Sequence, residues 1–67
     1  MDNLEKARIR MEHWMEHNDQ HQKEYEAFAR ELEEAGKEQA AEEVRAMKEL
    51  TAKGSMHLRQ AIALLQE

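Results

Sequence analysis

Three of the four histidines of this chain stand at four-residue intervals, His13, His17 and His21, within the stretch HWMEHNDQH. Residues four apart on a helix lie one turn above each other, so His17 and His21 can direct ring nitrogens at a common point. A His-x3-His pair suits zinc, nickel, cobalt or copper, all of which accept imidazole readily. Glu24, three residues past His21, could add a carboxylate, and His57 could add an imidazole from a different element. His13 lies about 80° around the helix from His21, which makes it either an outer ligand or a solvated surface residue. Asn18, next to His17, is a poor metal ligand. It either touches the bound species or fixes helix register as a lone polar residue in an apolar seam.

Several other chemistries are disfavoured. The chain has no cysteine, hence no disulfide, thiolate site or thiol nucleophile. A ferritin-type di-iron centre needs seam glutamates with Glu-x-x-His spacing, and the apolar seam traced below holds no carboxylate. Hydrolysis by a metal-bound water would need a base, for which Glu24 is the sole candidate, so no enzymatic activity is expected. Met11, Met15, Met47 and Met56 could form a soft copper site, but their helical spacing reads better as core filling. A net charge of −5, spread as mixed acid and base, disfavours nucleic acid and anionic membrane as partners. No apolar run could span a membrane and the Asp2-Asn3-Leu4-Glu5 start lacks a basic leader, so a cytoplasmic location is expected.

The elements that must position the histidines are helices. The chain has no proline and is rich in Ala, Glu, Lys, Gln, Leu and Met, which favours helix nearly throughout. Asp2 or Asn3 can cap the first helix, expected over about 3–35. Leu4, Ala7, Met11, Trp14, Asn18, His21, Tyr25, Phe28, Leu32 and Ala35 follow a four-three spacing, apolar except at Asn18 and His21. Gly36 suits the left-handed residue that ends a helix, placing the turn at 36–37. A second seam, Ala40, Val44, Met47, Thr51, Gly54, Leu58, Ala61 and Leu65, keeps its phase through Gly54. This favours one helix over about 38–66, with Gly54-Ser55 as the alternative break.

Residues 1–67 therefore read as one all-α domain, an antiparallel helical hairpin. Folding at Gly36 sets Phe28 against Val44 and Tyr25 against Met47 near the turn, and Trp14 against Leu58 at the open end. Between them His21 meets Thr51 and Asn18 meets Gly54, so the polar exceptions of both arms fall in one layer. Asn18 and Thr51 are thus expected beside the ligand, with His17, His21, His57, His13 and Glu24 as candidate metal residues. Two long helices bury only one side of each, so a homodimer forming a four-helix bundle is expected, with room for a metal shared between chains.

The segment from Trp14 through Tyr25, followed by a glycine-bearing turn and an Ala/Leu/Glu-rich second helix, resembles a family of short bacterial and archaeal helical hairpins of unassigned function. Its recurring core is His-Asn-x-x-His followed by Tyr or Phe, which the resemblance maps onto His17, Asn18 and His21. Where that pattern leads one to expect an Asn late in the second helix, this chain has Ser55 and His57. The leading functional expectation is a small transition-metal-binding protein for storage, delivery or sensing. The alternative is a non-catalytic homodimeric interaction module whose polar layer sets register and whose acidic outer face meets a protein partner. A third reading is a proton-sensing hairpin whose histidines charge below about pH 6.5 and loosen the bundle.

Overall fold

The computed structural model describes residues 2–65. Asp2 opens the first helix: its backbone is extended and its Oδ1 accepts a 2.7 Å hydrogen bond from the Glu5 N–H, satisfying one free donor of the opening turn. Of the two expected caps, Asp2 takes the role and Asn3 is already helical. Helix α1 runs Asn3–Glu34. It closes at Gly36, whose φ is +79°. The Gly36 N–H donates to the Glu33 carbonyl at 3.0 Å and the Lys37 N–H to the Leu32 carbonyl at 2.8 Å. Together these two bonds make a Schellman closure, which needs a left-handed residue at that place.

Helix α2 runs Glu38–Leu65 without interruption through Gly54-Ser55. The continuous second arm is therefore the one formed; its expected end at Gln66 lies outside the described residues. Among those residues there is no strand, and no helix is long and apolar enough to cross a membrane. The fold is an all-α antiparallel hairpin, 51 × 17 × 10 Å.

Register agrees with the sequence reading, since a Cβ built on Gly54 would lie 3.8 Å from Asn18 Nδ2. Rotation of the helices does not. Met11, Asn18, Tyr25 and Leu32 turn toward α2 as expected, but Trp14 and Phe28 are 53% and 51% exposed and His21 is exposed too. Met15, Gln22 and Ala29 occupy the inner positions instead. On α2, Val44, Thr51, Leu58 and Leu65 keep their places, while Ala41 and Ser55 are buried and Ala40 and Met47 exposed. Each contact line is thus turned by about 50°, half a residue's rotation, and both helices turn toward the same face of the hairpin.

Small residues explain the turn. Ala29 and Ala41 are fully buried and Ser55 is 2% exposed, so the helices approach over short side chains rather than over Trp14, Phe28 and Met47. One broad face carries the cross-helix ion pairs. Arg45 spans Glu26 at 3.0 Å and Glu33 at 2.7 Å, and Lys48 reaches Glu26 at 3.0 Å. These bonds hold the Glu26 carboxyl down to about 2 from its ordinary 4.5, Arg45 contributing most and Lys48 next. Arg45 likewise lowers Glu33, and its own guanidinium is raised by the two carboxylates. The opposite face carries Trp14, Phe28, Met47 and His21.

Candidate functional site

His17 and His21 sit near the middle of α1, whose uninterrupted helical backbone fixes their one-turn separation. Their ring centroids are 6.1 Å apart with planes at 80°. His21 is held from two sides. Its ring stacks on Tyr25, centroids 5.8 Å apart and planes 10° from parallel, and its Nδ1 lies 3.3 Å from Glu24 Oε2. When Nδ1 carries the proton it donates to Glu24 and leaves the lone pair on Nε2. That relay commonly orients a metal-ligating imidazole.

Glu16, His17, Gln20, His21 and Glu24 together line a shallow, open pocket of about 280 Å³. Of the residues singled out in the sequence, the structure thus brings together His17, His21 and Glu24. His13 and His57 are exposed and lie outside this pocket. Among the described residues no group of three or more His, Cys, Asp or Glu side chains is placed to hold a metal ion. One chain by itself presents two imidazoles and one orienting carboxylate.

The expected polar layer forms only in part. Asn18 is half-buried against Gly54, where the missing side chain leaves it space. Thr51 Oγ donates to the Met47 carbonyl one turn back in its own helix, at 3.0 Å, so its proton is not available to His21. The rotation of α1 carries His21 out of the inter-helix contact, because Gln22 takes the inward position. Asn18 and His21 therefore point to different sides of the helix, one inward and one to the open face.

Two features escaped the sequence reading. The Glu26–Arg45–Glu33–Lys48 cluster borders a wider open groove on the other face, but its carboxylates are already paired. Antiparallel register places Glu26 close to Arg45 and Lys48, so that register was the available signal. The other feature is Ser55 Oγ, buried without a hydrogen-bond partner. In sequence Gly54-Ser55 reads as the alternative break of the second helix, and only the helix rotation makes Ser55 internal.

A family model described as a domain of unknown function, DUF8180, matches residues 7–65. No curated protein and no solved structure matches the chain.

Proposed function

The chain belongs to DUF8180, a family whose description assigns no activity, and we propose that it is a small transition-metal-binding helical protein. It works as a homodimer in the cytoplasm, with His17 and His21 as ligands. One observation carries this reading: the two rings flank one outward-opening pocket, and Glu24 lies within reach of the His21 Nδ1. Imidazole pairs of this kind take zinc, nickel, cobalt or copper. Glu24 then orients the ring as a hydrogen-bond acceptor rather than binding the ion itself. His57 and His13 are outer residues of the reading; Asn18 and Thr51 belong to the inter-helix contact beside the site.

Native mass spectrometry tests this directly. Chelator-stripped protein is offered equimolar zinc, nickel, cobalt and copper. Retention of an ion, lost in His17→Ala and in His21→Ala and weakened about 10–100-fold in Glu24→Gln, is the expected result. Retention unchanged in both histidine variants, or no uptake by the wild-type chain, overturns the reading.

A non-catalytic interaction module is the second reading. Asn18 packed at Gly54 favours it, since a half-buried amide opposite a glycine defines helix register with or without a metal. It leads if the wild-type chain takes up none of the four ions.

A further inference from the structure

The apolar surface of this hairpin has a direction. Both helices are rotated toward the same side, so Trp14, Phe28 and Met47 stand exposed on one broad face while the ion pairs linking α1 to α2 stand on the other. A hairpin complete in itself would turn its largest apolar side chains inward. Here the inner contact is made by Ala29, Ala41 and Ser55, and the heptad pattern of each helix is centred between that contact and the open face. Centring of this kind is what four helices around one axis require.

The hairpin as a whole is 51 Å long and 17 Å wide, so its broad side is large enough to supply the ~800 Å² per partner that a standard interface buries. Its edge along α1 is charged in a graded way: Lys6 and Arg10 lie toward the N-terminus, and Glu24 and Glu31 toward the turn. Among the described residues Lys6, Arg10 and Glu31 make no ion pair. A second α1 laid antiparallel on this edge brings the basic end of each copy onto the acidic end of the other. Helix α1 spans Asn3–Glu34, so the midpoint of such a pairing falls between Asn18 and Asp19. Lys6 then meets Glu31 of the partner subunit, and His17 comes within one residue of the level of the partner's His21.

We infer that this face docks a second copy of the chain about a two-fold axis perpendicular to the helices, with the turns at opposite ends, and that His17 and His21 of both copies complete one four-imidazole site for a divalent transition metal. The ion of this site rests on the metal-binding reading above; the docking stands on the helix rotation and the charged edge. Two imidazoles from each copy give the four nitrogens of a tetrahedral ion, and the incomplete ligand set of the single chain becomes half of a symmetric one. Copies docked with their turns at the same end would instead set α1 on the partner's α2, holding the histidine pairs apart.

The chain's lack of cysteine makes the arrangement testable. The double variant Lys6→Cys/Glu31→Cys carries thiols roughly 37 Å apart along one helix, too far to join within a chain. Mild oxidation with chelator present is expected to give a covalent dimer, and Lys6→Cys/Arg10→Cys is expected to remain largely uncrosslinked. Wild-type protein titrated with zinc, nickel, cobalt and copper in turn is expected to saturate at one ion per two chains with the best of them. His17→Ala is expected to lose that ion while still sedimenting as a dimer. A monomer in chelator with no cross-link overturns the docking. Saturation at one ion per chain, with the cross-link formed, overturns the shared site but leaves metal binding intact. No uptake at all overturns the metal reading and the shared ion together, whatever the cross-link shows.

Discussion

Gly54 lies in the middle of α2, where glycine is the costliest residue after proline for an uninterrupted helix. Its replacement by alanine should therefore stabilise the hairpin, unless the added methyl group has nowhere to go. The methyl has room: its nearest neighbour beyond its own turn is Asn18 Nδ2 at 3.8 Å, an ordinary van der Waals separation. One such contact contributes only ~0.1–0.2 kcal/mol, so the change is governed by backbone entropy and helix propensity, about 1 kcal/mol in favour of alanine. For a domain of this size that corresponds to a rise in Tm of about 4–8 °C. The assay is thermal unfolding followed by circular dichroism, at fixed protein concentration and with chelator present so that metal binding does not contribute. A fall in Tm for Gly54→Ala would refute the reasoning. It would mean that another backbone or side chain approaches Gly54 more closely than Asn18 does.

Three further outcomes follow from the same geometry. Gly36→Ala should lower stability by ~1–2 kcal/mol, because φ is +79° and the added Cβ meets nothing within 4 Å, leaving only the left-handed backbone penalty; an unchanged urea midpoint would contradict this. Ser55→Ala should raise the urea midpoint by about 1 kcal/mol of stability, since it removes a buried hydroxyl without a partner and installs a better helix former; a clear loss would show that Oγ is bonded. The Glu26 and Glu33 carboxyls are lowered in the folded chain, so their stabilisation is complete above the ordinary value of 4.5 and is lost as pH falls below it, for Glu26 toward about 2. Urea midpoints measured from pH 6 to 2 should drop through that window in the wild type and drop less in Glu26→Gln; parallel profiles would remove the ion-pair cluster as the cause.

The site was only partly legible in the sequence because one helix carries two kinds of information. His17 and His21 share a face wherever α1 points, since one turn of helix sets their separation. Glu24 at i+3 reaches His21 by the same local rule, and the 3.3 Å contact confirms its position. Whether His21 lies inside the hairpin or on its open face depends on helix rotation, which a four-three spacing leaves uncertain by about half a residue. Thr51 illustrates the same point: it lies on the expected line, yet its hydroxyl bonds within its own helix.

What the sequence determined by itself was local. Asp2 and Gly36 end α1 through side-chain and backbone chemistry within a few residues, helix propensity carries α2 through Gly54, and the two seams give the register that opposes Asn18 to Gly54. What only the tertiary structure decided was which part of each apolar arc faces the other helix. Each arc is wider than a two-helix contact can cover, so several rotations satisfy the pattern. The one adopted brings Ala29, Ala41 and Ser55 to the contact and lets Arg45 and Lys48 reach Glu26 and Glu33. Short side chains and paired charges from opposite arms select it, and those terms exist only once the arms have met.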